Sequence, residues 1–187
     1  MSTAIVWLRQ DLRCHDQAAL SRSFQMHDKV IPVYINETHP NPPMGSAQKW
    51  WLHHALESLA KELERFLLPL CLKSGAPLDV LQELIRTHQV THVYWSRCYE
   101  PGAIARDTVI KKSLTEAGIS VTSCSGNLLI EPWNIKNGSG GFFKVFTPYW
   151  KRCLLQITTR PMHSITPMKQ RITIDSERLS DWNLRPT

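Results

Sequence analysis

Five short runs, most of them apolar on both sides, at residues 4–8, 29–35, 70–73, 92–95 and 119–123, constrain this chain more than any other feature. A strand buried on both faces belongs to a parallel sheet whose crossover helices cover it above and below. The segments between these runs carry helical periodicity and recognisable ends. Asp16 is placed to cap a helix through Met26, and Ser46 a long one through Phe66. Pro77 opens a third helix, and Pro101 a fourth that stops at Gly118. In the second helix Leu52, Ala55, Leu56, Leu59, Leu63 and Phe66 share one stripe, which is expected to face the sheet. Trp50 falls on the opposite side with His54, Glu57 and Lys61, where an indole is either a lone surface aromatic or an interface anchor. The alternation predicts an α/β fold built from β-α units.

The first strand runs into RQDLRCHD with no glycine. A dinucleotide-binding turn needs glycines there, so that the backbone can approach a pyrophosphate at a helix N-terminus. Arg9, Asp11, Arg13 and Asp16 occupy that place instead. They are either a salt-bridged cluster fixing the strand end or the polar rim of a ligand cleft, because open α/β sheets place ligands beyond the carboxyl ends of their strands. WSRCYEP, residues 95–101, follows the fourth strand. If the strand order is 3-2-1-4-5, the sheet changes direction there, and Arg97 and Glu100 either contact a ligand in the crevice or anchor the loop.

A chain of 187 residues is long enough for one sizeable core. Its five cysteines lie 26 to 57 residues apart, too far for a zinc or thioredoxin-like motif. They read as free thiols in a reducing, cytoplasmic setting. No apolar run approaches the ~20 residues that span a bilayer, so membrane insertion is not expected. His88 and His92 lack the glutamate of a zincin and straddle a helix end and a strand start, so no metal site is expected.

After residue 124 the alternation stops. Residues 137–152 read as a glycine turn, a short strand and a helix begun at Thr147-Pro148. Residues 151–187 hold seven Lys and Arg against three Asp and Glu, an excess that suits either a nucleic-acid partner or a solvated segment. Residues 159–187, with Pro161, Pro167 and Pro186 among polar residues, read as a linker leaving the domain of residues 1–158.

Five stretches taken together resemble the N-terminal α/β domain of the DNA photolyase and cryptochrome family: residues 6–20, 44–59 (MGSAQKWWLHHALESL), 69–77, WSRCYEP with Ala105-Arg106-Asp107, and KVFTPYWKR at 144–152. They occur in family order over nearly the whole chain. The resemblance implies a Rossmann-like, doubly wound five-stranded parallel sheet with helices on both faces, strand order 3-2-1-4-5, and often a light-harvesting antenna chromophore. It also implies a parent enzyme that splits cyclobutane pyrimidine dimers in damaged DNA, extruding the weakened bases from the duplex. The catalytic FAD would sit in a separate C-terminal helical domain outside this chain, so no catalytic residue is expected here. A cryptochrome-type light sensor shares the same domain. A stand-alone nucleotide-binding module is a further alternative, against which the glycine-free first turn argues.

Members with a folate antenna carry an Asn-Glu pair and a His where this chain has Gly102, Ala103 and Pro42. Members with a deazaflavin antenna tend to place an Arg at the position of Gln48 and an acid at that of Cys98, with Glu100 kept. The folate pattern is therefore broken and the deazaflavin pattern incomplete; the resemblance implies that the crevice lined by Met44, Gln48, Cys98, Glu100, Gly102 and Ala103 either takes another antenna or is empty. Trp50 and the apolar side chains of FFKVFTPYW are the expected surface toward the FAD domain.

Overall fold

A computed structural model of the chain describes residues 2–37, 43–157, 162–166 and 172–185. Pro42 lies outside them. Strands Thr3–Leu8 (β1), Lys29–Asn36 (β2), Cys71–Ser74 (β3), Val90–Ser96 (β4) and Ser120–Cys124 (β5) form one sheet in the order β3-β2-β1-β4-β5. Every neighbouring pair is parallel. β1 is buried along its whole length, as its uninterrupted apolar run requires. Pro32 is tolerated in β2 because it pairs with Val6 of β1 one residue before β3 begins to pair, at Val33.

Helices Ala18–Met26 (α1), Ser46–Glu64 (α2), Pro77–His88 (α3) and Pro101–Glu116 (α4) are the crossovers. Alternation of side chains along each strand divides the core into two layers. Ile5, Trp7, Ile31, Val33, Val93 and Trp95 face α3 and α4, packing on Leu81, Leu84, Ile110 and Leu114. Ala4, Val6, Leu8, Val30 and Tyr94 face α1 and α2, packing on Ala19, Leu20, Leu59 and Leu63. The expected stripe of α2 is thus inward, and Trp50 is outward, its ring 4.5 Å from that of His54.

Two helix caps differ from expectation. Asp16 adopts a left-handed backbone, φ 47°, and exchanges hydrogen bonds with the main chain of His163; Gln17 caps α1 instead, its Oε1 accepting from Leu20 N at 2.8 Å. The cap of α2 is Gly45 and not Ser46, because Gln48 Oε1 reaches back to accept from Gly45 N at 2.9 Å. Nor does a strand form before the last helix, Phe146–Leu154 (α5). Asn137 closes the glycine turn onto Gly141 and donates to the Phe142 carbonyl, a group that a strand would offer to a neighbouring strand.

Residues 172–185 depart further from a solvated tail. Ile172 and Ile174 pack on the layer under α3, while Glu177 N donates to Leu72 O and Ser176 Oγ accepts from Leu72 N. Leu184 is buried beside Leu52 and Leu56 on the other side. The segment wraps the outer edge of β3, satisfying backbone groups that an edge strand leaves unpaired.

Candidate functional site

The carboxyl ends of β1, β4 and β5 deliver the charged turn, WSRCYEP and residues 125–133 to one edge of the sheet, where α1 and α4 begin. Arg9 turns inward: its guanidinium bonds the Asp107 carboxylate and the Ser96 carbonyl, and lies 4.6 Å from the ring centre of buried Trp7. Arg106 lies 5.0 Å over the same indole and binds both Glu37 and Asp107. Two guanidiniums on one aromatic ring, sharing one carboxylate, make a rigid knot linking β1 to α4. Asp11 is buried and accepts from Gln17 Nε2 at 2.6 Å and Arg9 N at 3.2 Å, which ties the turn to the cap of α1. Arg13 reaches the Gly126 carbonyl at 3.1 Å. Of these charges, Arg9 is salt-bridged, to Asp107, whereas Asp11 and Arg13 are held by hydrogen bonds to Gln17, Arg9 N and the Gly126 carbonyl.

The crevice residues fall into two groups. Met44 packs against the cluster that holds Leu52 and Leu56 of α2, and Gln48, exposed, is engaged with Gly45. Cys98, Glu100, Gly102 and Ala103 lie around the start of α4. Glu100 is its N-cap, accepting from Gln10 Nε2 at 3.1 Å and from Tyr99 N at 3.1 Å. The Gln10 hydrogen bond, with these backbone contacts and the Arg9 charge, holds its carboxyl below the usual range. Cys98 is buried, and burial raises its thiol. Gly102 has open space where a side chain would stand, with nothing within 4 Å. Hydrogen bonds do not cross between the two groups among the described residues.

Arg97 and Tyr99 were expected in the loop, but their shared partner, Glu131, was not. The Arg97 guanidinium pairs with Glu131 and donates to Ser123 O at 2.9 Å; Tyr99 Oη donates to Glu131 Oε2 at 2.8 Å. Burial and the Glu131 carboxylate push the Tyr99 phenol up to about 12. Arg97 also lies 5.5 Å from the ring centre of Trp133, which is half exposed. A cleft of about 240 Å³ opens between α4 and this tryptophan, lined by Trp95, Cys98, Tyr99, Ile104, Thr108 and Trp133. The signal in the sequence was EPW, an acid and an aromatic after the fifth strand; only the fold shows that they return to WSRCYEP.

Among the described residues no cluster of three or more His, Cys, Asp or Glu is arranged to hold a metal, and no helix is long and apolar enough to cross a membrane. All five cysteines are free and buried, and burial, with smaller effects from nearby acids, pushes the Cys14 and Cys71 thiols up to about 12, far from a thiolate nucleophile.

The same order of elements and turns recurs in known proteins. A deoxyribodipyrimidine photo-lyase of Agrobacterium fabrum is 40% identical over 98% of this chain, and Arabidopsis thaliana cryptochrome-2 is 37% identical over 80% of it. The crystal structure of a class III photolyase from Agrobacterium tumefaciens superposes on the whole chain with a TM-score of 0.88 at 39% identity. The chain spans 38% of the first relative's length, 25% of the second's and 39% of the crystallised chain. The DNA photolyase family model matches residues 4–169, and with the charged turn, the strand order and these likenesses in agreement, the chain belongs to the DNA photolyase family.

Proposed function

We propose that residues 1–158 are the antenna-binding N-terminal domain of a light-driven DNA repair enzyme, a cyclobutane pyrimidine dimer photolyase, and that residues 159–187 lead toward a C-terminal helical domain holding FAD. The observation that carries this reading is 40% identity to a deoxyribodipyrimidine photo-lyase along almost the whole chain, which nevertheless spans 38% of that protein. In this reading FAD supplies the light-driven electron transfer to the dimer, and the present residues gather light and dock the flavin domain. Met44, Gln48, Cys98, Glu100, Gly102 and Ala103 line the chromophore crevice. Glu100 offers an anionic acceptor to a ring N–H, Gln48 an amide, and Gly102 room for a flat ring to approach. Trp50, Phe142, Phe146 and Trp150 are exposed apolar anchors for the flavin domain. The basic excess after residue 150 favours approach to damaged DNA, and five free thiols suit a reducing cytoplasm.

Co-expression with the C-terminal part of the same protein tests this. The complex is expected to carry FAD and to revert thymine dimers under blue light, while the 187 residues alone revert none. Ala103→Trp is expected to abolish the non-flavin part of the excitation spectrum for repair and to leave flavin-driven repair intact. A complex without FAD, or repair by the chain alone, overturns the proposal. Similarity to cryptochrome-2 supports one alternative, a blue-light sensor, for which the complex would bind FAD and repair nothing.

A further inference from the structure

One face of α1, turned toward the carboxyl end of β5, is polar. Ala18, Ser21, Arg22 and Gln25 recur there at helical spacing and, with Ser125 and His163, line a recess of about 460 Å³. The recess lies on the α1 side of the sheet, the side to which Cys124 of β5 also turns. Arg97, Ser123, Glu131 and Trp133, drawn together by the Arg97 guanidinium, part it from the cleft beside α4. By itself it falls in the range of about 300–1,000 Å³ that holds a small molecule.

Ser21 is 3% exposed, yet its hydroxyl makes no hydrogen bond among the described residues. Burying a hydroxyl without a partner is unfavourable, and the recess that Ser21 lines is where one can enter. Arg22, beside it, forms neither an ion pair nor a side-chain hydrogen bond among the described residues. Glu131, the carboxylate in these walls, is already committed to Arg97 and Tyr99. The recess therefore keeps an uncommitted guanidinium, which suits a phosphate, and surrounds it with hydroxyls, an amide and an imidazole, which suit the hydroxyls of a polar body.

We propose that this recess binds a sugar phosphate, with the phosphate toward Arg22 and Ser21 and the sugar hydroxyls toward Gln25, Ser123 and Ser125. It shares no residue with the six-residue crevice above, and it stands whether or not that crevice holds an antenna.

Titration calorimetry of the 187-residue chain with ribose 5-phosphate, ribose and inorganic phosphate tests this. Ribose 5-phosphate is expected to bind at one site per chain and more tightly than either fragment. Arg22→Ala is expected to weaken it by about tenfold or more, as for one lost hydrogen bond to a charged group. Ser21→Ala is expected to weaken it by about 2- to 10-fold, the range for a neutral hydrogen bond, and to leave the thermal midpoint of the unliganded chain unchanged or raised, because the free hydroxyl bonds nothing. Ser125→Trp, which fills the recess from an exposed position, is expected to block binding. Circular dichroism verifies that each variant is folded. Absence of ribose 5-phosphate binding, or binding indifferent to Arg22→Ala and Ser125→Trp in folded protein, overturns the proposal. So does inorganic phosphate that binds as tightly as ribose 5-phosphate, which would reduce the site to a bare anion hole, or an oligothymidylate without terminal phosphate that displaces ribose 5-phosphate at lower concentration, which would give the recess to DNA.

Discussion

Gly126 shows how closely the carboxyl-edge loops are fitted. A Cβ there would stand 2.7 Å from Ser96 Oγ, a buried hydroxyl with no hydrogen-bond partner among the described residues. Gly126→Ala is expected to cost about 1–3 kcal/mol in a denaturant titration, as overpacking does. Ser96→Ala removes the nearer obstructing atom and no bond, so it is expected to be nearly neutral alone and to recover part of the loss in the double variant, since Ser96 Cβ, 3.0 Å from the new methyl, remains. At the opposite edge His27 donates or accepts at Tyr94 Oη (2.9 Å) and Ser2 Oγ (3.2 Å), with its ring 4.9 Å from that of His92. Burial lowers both imidazoles below 6.5; His27 is lowered further by His92 and partly restored by Asp28. Both therefore take up protons less readily in the fold than in the unfolded chain. Their contribution to stability is complete above the unfolded value and is lost as pH falls below it. Thermal melts between about pH 7.5 and 5 are expected to show stability falling with acidification, and less steeply in His27→Gln. A slope unchanged in that variant would assign the effect to other groups.

The strands and the crossover helices are legible in the sequence because burial on both faces leaves continuous apolar runs and because Pro77 and Pro101 sit at helix starts, where a missing N–H costs nothing. The caps of α1 and α2 are not, since Gln17 and Gln48 act through long side chains whose partners, Asp11 and Gly45, are set by the loop path. The segment after residue 171 is misleading for a different reason: a chain that covers an edge strand needs only a few inward side chains and otherwise looks like a polar linker. Glu177 is its main fastening, accepting from Ser74 N at 2.8 Å, Ser74 Oγ at 2.6 Å and Trp182 Nε1 at 2.6 Å. Glu177→Ala is expected to cost about 1–3 kcal/mol, the scale of hydrogen bonds to a charged group, and to raise amide exchange in β3. Exchange in β3 equal to that of the parent would mean that the apolar contacts of Ile172, Ile174 and Leu184 suffice to hold the edge.

Across the whole molecule apolar exposure is uneven. Phe142, Val145, Phe146, Leu154 and Leu155 are each more than half exposed, Trp150 stacks 6.3 Å from Phe146 at 39% exposure, and α5 buries only Cys153. Such a concentration of exposed large apolar side chains within residues 142–155 suits a docking surface. The sequence carries the motif FFKVFTPYW, but which of its side chains face outward depends on the single buried position of α5, and that is set by packing no local pattern reveals. In the reading proposed above the flavin domain covers this face, so charge placed there should separate docking from folding. Phe146 and Leu155 are 70% and 78% exposed, and Phe146→Lys with Leu155→Lys is expected to alter the stability of the isolated chain by no more than about 0.5 kcal/mol per site. The same variant is expected to lose co-purification with the C-terminal part and to reduce self-association of the chain at high concentration, measured by light scattering. If the doubly charged chain still captured that part with unchanged affinity, the flavin domain would have to sit on another face, and the side bearing the exposed Trp50 and Trp51 would be the next to charge.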